Sequence, residues 1–171
     1  MTKKTVFIDY DGTLAYFLKD KSLEEVAQKG YTLTVPMVES FCTAIDMLMN
    51  DDELSGYDFR LLSAVLNEYS VQDKKTMLTK RFGSAFAEKS VFVEYGMSKA
   101  TYAEGGNILL DDFSFNLHEW ERFGGIGIKV YNGINGNNGT WRGYSVHSTA
   151  TNNVIYATLK GILLSLEKAA A

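Results

Sequence analysis

The sequence has one cysteine, one proline and two histidines among its 171 residues, and these scarcities exclude several kinds of protein. The single cysteine, Cys42, cannot form an internal disulfide or supply a CxxC zinc site. The histidines, His118 and His147, are isolated and lack the spacing of a metal-binding pair. No uncharged apolar run approaches the roughly 18 residues that a membrane span requires.

The charge is nearly balanced, with 17 basic and 21 acidic residues and a formal net charge of -4. This balance argues against a protein that binds nucleic acid through an excess of Lys and Arg. The segment from Met1 to Lys4 runs directly into a strand-like segment, without the apolar stretch of a signal peptide. We therefore expect a soluble cytoplasmic protein that binds neither a nucleic-acid polymer nor a membrane, and we leave open whether it forms a homodimer.

Short apolar runs alternate with helical patterns along most of the chain, which is typical of an α/β domain. The runs are nearly continuous, as in the strands of a parallel sheet that is covered on both faces. The Gly- and Asn-rich residues 132–143 predict an irregular loop or a hairpin before the last helix. The predicted strands are 5–8, 59–62, 91–93, 108–110 and 126–131, and the predicted helices are 73–82, 115–123 and 153–167.

Residues 15–57 interrupt this alternation, because two helical patterns follow each other there without a strand. The first begins at Ser22 with the spacing of a capping box. In the second, Pro36 suits the first helical position, and apolar residues recur every three or four positions. We expect 15–57 to form a small helical cap over the carboxyl edge of the sheet, and 1–14 together with 58–171 to form the core.

Several aromatic residues allow either a binding role or ordinary packing. Those in the predicted insertion could stack on a nucleobase, but packing of the cap explains them equally well. Cys42 and Trp120 are expected in the core, while Trp141, in the Gly- and Asn-rich segment, has no evident role. The aromatic candidates for base stacking are Tyr16, Phe17, Tyr31 and Phe41.

Polar side chains cluster where predicted strands end. Asp9 and Asp11 follow the first strand, Ser63 follows the second, and Asp111 and Asp112 follow the run at 108–110. In an open parallel sheet, ligands bind at the carboxyl ends of the strands. Four carboxylates at one edge repel each other unless a divalent cation neutralises them, and an oxygen-only set without His or Cys suits Mg²⁺.

The sequence FIDYDGTL at residues 7–14 resembles the DxDGT signature of the haloacid dehalogenase (HAD) superfamily of aspartate-nucleophile phosphotransferases. Ser63 is similar to the family's second motif, Lys99 to its third, and LLDD at 109–112 to its fourth, in the family's order. The resemblance implies a Rossmann-like three-layer α/β/α core with a parallel sheet and a cap inserted after the first strand.

Within the superfamily, the sequence is most similar to the 5'(3')-deoxyribonucleotidase group. The similarity rests on Asp73-Lys74 and RFG at 81–83, which resemble that group's segment after the second motif, and on LLDD at 109–112, ahead of the last predicted strand. The run 73–81, which includes Lys74 and the adjacent Lys75, otherwise has mostly the pattern of a solvated helical face.

The resemblance also implies a role for each of the polar residues in these motifs. Asp9 would attack phosphorus and form an aspartyl-phosphate. Asp11 would protonate the leaving oxygen and later deprotonate a water molecule. Mg²⁺ would bind Asp9, the backbone carbonyl of Asp11, and the pair Asp111 and Asp112. The residues implied to bind the substrate phosphate are Gly12, Thr13, Ser63, Lys74 and Lys99.

The sequence thus predicts a Mg²⁺-dependent phosphomonoesterase whose small phosphorylated substrate is a nucleoside monophosphate, first of all a deoxyribonucleotide. One alternative is a phosphatase for another small phosphomonoester, such as a sugar phosphate or a 3'-phosphorylated nucleotide. Another is a non-catalytic module with the same fold that binds a nucleotide or phosphate. The presence of both Asp9 and Asp11 favours an enzyme, because only one of them is needed to hold a metal ion.

Overall fold

The computed structural model describes residues 3–134 and 139–170. It contains a six-stranded sheet in the order β3-β2-β1-β4-β5-β6, in which all neighbouring strands are parallel. The strands are β1 (Lys4–Ile8), β2 (Tyr57–Val65), β3 (Val91–Glu94), β4 (Ile108–Asp111), β5 (Ile126–Tyr131) and β6 (Tyr144–His147).

Helices connect and flank the strands. Among the described residues, none of the helices is both long and apolar enough to cross a membrane. The α-helices are α1 (Leu23–Val26), α2 (Tyr31–Thr34), α3 (Glu39–Met49), α4 (Glu68–Phe82), α5 (Ser84–Glu88), α6 (Ser114–Arg122) and α7 (Asn152–Ala170), and 3-10 turns occur at Asp52–Leu54, Ala100–Tyr102 and Glu104–Gly106.

The central strand β1 shows why the apolar runs are nearly continuous. Val6 and Ile8 belong to a large buried cluster that includes residues of α3 and α7. Phe7, between them, belongs to a second cluster, in which it packs edge-on against Trp120 of α6. Because successive side chains of a strand point to opposite faces, both faces of the sheet are covered. This confirms the predicted α/β class and its Rossmann-like three-layer arrangement.

Helix α3 lies in a helical layer and not over the edge of the sheet. It packs along α7 and connects the parallel neighbours β1 and β2, which requires a crossover along one face. For α3, the expected position over the carboxyl edge is therefore wrong, although Cys42 is buried as expected. The assignment of residues 16–35 to a cap stays a prediction. The side chains that α3 buries are Phe41, Cys42, Ala44, Ile45 and Leu48.

Pro36 also differs from its predicted place in the first turn of a helix. The helix begins later, at Glu39, and Val38 is its N-cap residue. Pro36 instead lies outside the helices and strands, and its carbonyl accepts a hydrogen bond from the backbone N–H of Tyr16, at the start of the insertion, at 3.1 Å. The capping box at Ser22 is confirmed, because its hydroxyl accepts from the N–H of Glu25 while the Glu25 carboxylate accepts from the N–H of Ser22.

The strand β6 was missed because little in its sequence marks it as a strand. It lies at the edge of the sheet, and Val146 is its one buried residue. Its parallel pairing with β5 shows that the hairpin alternative for 132–143 is wrong. The residues that precede it, 132–134 and 139–143, are irregular, as expected, and 135–138 lie outside the described residues.

Trp141 and Trp120 both have packing roles. Trp141 is buried, and its indole N–H donates to the carbonyl of Tyr144 at 2.9 Å. A Cβ atom on Gly127 of β5 would lie 2.6 Å from the Trp141 ring, so the ring lies directly against the backbone of the strand. Trp120 joins α6 to the sheet, as predicted, and donates to the carbonyl of Asn107 at 2.9 Å. These contacts explain the tryptophans without a role in binding.

Candidate active site

The carboxyl ends of β1, β2 and β4 bring the predicted acidic and basic residues to one edge of the sheet. A cavity of about 670 Å³ opens at this edge, between the strand ends and residues 16–35. The predicted site residues that line the cavity are Asp9, Asp11, Lys74, Lys99 and Asp112.

Three of the carboxylates form a compact buried cluster. Each of Asp9, Asp111 and Asp112 offers an oxygen, and these oxygens all lie within 4.8 Å of one another. Hard divalent cations bind oxygen ligands in this way, so the donor set fits a metal ion. The cluster could therefore hold one.

The three carboxylates differ in what already binds them. Asp111 is fully buried, and its Oδ1 accepts from the backbone N–H of Phe113 at 2.8 Å. Its Oδ2 accepts from Lys99 at 2.7 Å and from Asn116 at 2.9 Å. Asp112 lines the cavity, and its Oδ2 accepts from Asn132 at 2.8 Å. Asp112 is therefore better placed than Asp111 to contact a ligand in the cavity.

Lys99 joins two members of the cluster. Its buried ammonium lies 2.7 Å from Asp9 Oδ1 and 2.7 Å from Asp111 Oδ2. Burial raises the pKa of Asp9 to about 7; Lys99 opposes this rise, and the carboxylates of Asp111, Asp11 and Asp112 add to it. Burial lowers the pKa of Lys99, but the two carboxylates outweigh this effect and the net pKa is raised. At Asp9, the effect of burial on the pKa therefore exceeds the opposing effect of Lys99.

Lys74 forms a second buried contact network on the other side of the site. Its ammonium donates to Asp11 Oδ2 at 2.6 Å, to Ser63 Oγ at 2.9 Å and to the carbonyl of Ala64 at 2.9 Å. It also lies 5.1 Å from the centre of the Tyr10 ring. The helical run that the sequence predicted to be largely solvated thus carries a buried lysine that reaches Asp11.

Three of the residues expected to bind phosphate do not line the main cavity. Ser63 is fully buried and contacts Lys74, and the hydroxyl of Thr13 is buried without a hydrogen-bond partner among the described residues. Gly12 has a positive φ of 77°, and a Cβ there would lie 2.2 Å from Asp112 Oδ2. The glycine therefore allows the backbone to approach Asp112 closely.

Sequence reasoning missed three residues that hold the acidic cluster. Asn116 binds Asp111, and Asn132 Nδ2 joins Asp112 Oδ2 to the carbonyl of Gly12, at 2.8 Å each. Lys129 of β5 donates to the carbonyl of Asp112. Two signals were available: Asn132 follows a predicted strand, and Lys129 is the one charged residue of the run 126–131.

The outer wall of the cavity is apolar and rich in aromatic side chains. Of the candidates for base stacking, Tyr16, Phe17 and Tyr31 line the cavity. Phe41 does not, because it is fully buried in the core on α3, so its proposed binding role is wrong. The large apolar side chains that line the cavity and are exposed to solvent are Tyr16, Phe17, Leu18, Leu23, Tyr95, Met97, Phe113 and Phe115.

Comparison with known proteins adds no assignment to this geometry. Neither a scan against models of protein families nor a search of curated proteins gives a match to the chain.

Proposed function

We propose that this protein is a Mg²⁺-dependent phosphomonoesterase of the HAD type, in which Asp9 is the nucleophile. The observation that carries the proposal is the buried cluster of Asp9, Asp111 and Asp112 at a cavity that also receives Lys99 and Lys74. Clustered carboxylates beside two lysines are suited to an anionic substrate that is bound together with a cation.

The residues present fit a magnesium ion. Asp9, Asp112 and the backbone carbonyl of Asp11 would hold it, while Asp111 keeps Lys99 in place through its Oδ2. A bound Mg²⁺ supplies positive charge that reduces the repulsion between a carboxylate nucleophile and an anionic phosphoryl group.

The chain's own residues then account for two successive transfers. A carboxylate oxygen of Asp9 forms a bond to phosphorus as the bond from phosphorus to the leaving oxygen breaks, and Asp11 donates a proton to that oxygen. Asp11 next takes a proton from water, whose oxygen attacks phosphorus and releases phosphate from Asp9. Lys74 orients Asp11 through its contact at 2.6 Å, and Lys99 orients Asp9 through its contact at 2.7 Å.

The apolar wall supports a nucleoside monophosphate as substrate. A nucleobase buries a flat apolar surface against aromatic side chains such as Tyr16, Phe17 and Phe113, which line the cavity. A sugar phosphate presents hydroxyl groups, which lose hydration without gaining partners on such a wall. The preference for a deoxyribonucleotide rests on the resemblance to the 5'(3')-deoxyribonucleotidase group.

The test is phosphate release from deoxy- and ribonucleoside 5'- and 3'-monophosphates and from sugar phosphates, each with Mg²⁺ and with EDTA. We expect Mg²⁺-dependent release from deoxyribonucleotides, its loss in Asp9→Asn, and wild-type rates in the exposed control Asp20→Asn. Release from sugar phosphates alone would retain the chemistry and reject the nucleotidase assignment. A folded protein that releases no phosphate from any of these substrates would favour the binding module.

A further inference from the structure

Lys129 of β5 is a buried lysine, only 1% exposed, that lies behind the acidic cluster. Since β5 pairs with β4 so that Lys129 lies opposite Asp111, its side chain reaches the turn that follows β4. There its ammonium donates to the backbone carbonyl of Asp112 and to the hydroxyl of Ser114, the latter at 2.9 Å. One side chain thus binds two positions of the same turn.

The two acceptors lie on either side of Phe113, between the end of β4 and the first turn of α6. Ile128 and Val130 point to the opposite face of β5, so they do not surround the Lys129 side chain, which is buried on its own face of the sheet. Burying an ammonium group is costly, and it is favourable only where hydrogen bonds replace its hydration. The contacts with the turn therefore explain why this position carries lysine.

Asp112 is fixed at two points from the end of β5. Lys129 binds its backbone carbonyl, whereas Asn132 binds its carboxylate at 2.8 Å. The contact with the carbonyl holds the main chain of Asp112 in place. The contact with the carboxylate holds the orientation of its oxygens. Asp112 is also the member of the Asp111–Asp112 pair that lines the cavity.

We propose that Lys129 is a positioning residue for the carboxylate cluster: it holds the turn between β4 and α6 so that Asp112 presents its carboxylate to a divalent cation beside Asp9. This inference rests on the proposed function, because it takes the cluster to be a metal site. Lys129 acts through Asp112 and touches neither the substrate nor the cation.

The test measures binding of Mg²⁺ directly, by calorimetric titration of the intact chain. Lys129→Met keeps an unbranched side chain and removes the ammonium, and Lys129→Gln keeps an amide donor. The control is Lys160→Met, which removes a lysine that pairs with Asp51 and Glu53 before β2 begins, at the opposite edge of the sheet. We expect Lys129→Met to raise the Kd for Mg²⁺ by about 10- to 100-fold, Lys129→Gln to raise it less, and the control to leave it unchanged.

Urea unfolding of each variant separates positioning from general stabilisation. A lysine that only stabilises the fold would lower the midpoint of unfolding in Lys129→Met without changing the Kd for Mg²⁺, and that result would overturn the inference while leaving the proposed function intact. If Lys129→Met does not fold, Lys129→Gln decides, and a wild-type Kd in that variant overturns the inference. Failure of the wild-type protein to bind Mg²⁺ would refute both proposals.

Discussion

Replacing Asp9 with asparagine should make the metal-free protein more stable at neutral pH, although it should abolish turnover. Burial raises the pKa of Asp9 from the ordinary value of 3.8 to about 7 in the folded protein. A carboxyl group with a higher pKa in the folded state binds its proton more tightly there, so the folded state loses stability as pH rises from about 3.8 to about 7. Asparagine cannot ionise and avoids this loss.

The expected gain follows from the size of this pKa change. The difference between 3.8 and about 7, at about 1.36 kcal/mol per pH unit, corresponds to about 4 kcal/mol at pH values above 7. The buried amide of asparagine needs hydrogen-bond partners at a position shaped for a carboxyl group, which reduces the gain. We expect Asp9→Asn to raise the free energy of unfolding by about 1–3 kcal/mol at pH 8.

The assay is urea unfolding in EDTA at pH 5, 6, 7 and 8, followed by the fluorescence of the buried residues Trp120 and Trp141. Asp20→Asn, which removes an exposed carboxylate, is the matched control and should leave the free energy of unfolding unchanged. The advantage of Asp9→Asn should narrow as the pH falls. A variant that is no more stable than the wild type at pH 8, or an advantage that does not depend on pH, would refute the electrostatic argument.

Three further predictions concern the metal, the second lysine and the packing of Trp141. Saturation with Mg²⁺ at about 100 times its Kd should stabilise the wild type by about 2.7 kcal/mol, seen as a rise in Tm, and Asp112→Asn should lose most of this effect. Lys74→Met should lower kcat by about 100-fold or more while circular dichroism shows a native fold, because Lys74 orients the proposed proton donor. Gly127→Ala should lower the free energy of unfolding in urea by about 1–3 kcal/mol, since its Cβ would lie 2.6 Å from Trp141. Gly161→Ala in α7 should have the opposite sign, because among the described residues no atom beyond the glycine's chain neighbours and the adjacent backbone of its own helix would lie within 4 Å of the added Cβ. Equal effects of the two glycine substitutions would contradict the packing argument.

Much of the fold could be predicted because the strands of a doubly covered parallel sheet have a distinctive composition. The runs around Phe7 and Leu109 are apolar at successive positions, as is typical of strands that are buried on both faces. The strand β6 lacks this signal, because an edge strand with one buried residue, Val146, resembles a loop. The periodicity of α3 revealed a buried face, but periodicity does not say which surface covers that face.

Part of the site could be predicted because ligands bind at the carboxyl ends of the strands in an open parallel sheet. Asp9, Asp111 and Asp112 come together because parallel strands end at one edge. The burial of Lys74 was not predictable, since lysine on a helix is usually solvated and only the tertiary structure brings this one to Asp11. Lys129 was missed for a similar reason: its partner is a backbone carbonyl, which no side-chain motif records.

The central claim is that Asp9 becomes covalently phosphorylated, and this can be measured with p-nitrophenyl phosphate, whose leaving group departs without needing a proton. In Asp11→Asn, the first transfer should then proceed, while hydrolysis of the intermediate is slowed because no carboxylate accepts a proton from water. With Mg²⁺, we predict a burst of about one nitrophenolate per enzyme and, after acid quenching, a phosphoryl group that fragmentation of the peptide places on Asp9. Hydrolysis without a phosphorylated residue, or with the phosphoryl group on another residue, would contradict the account.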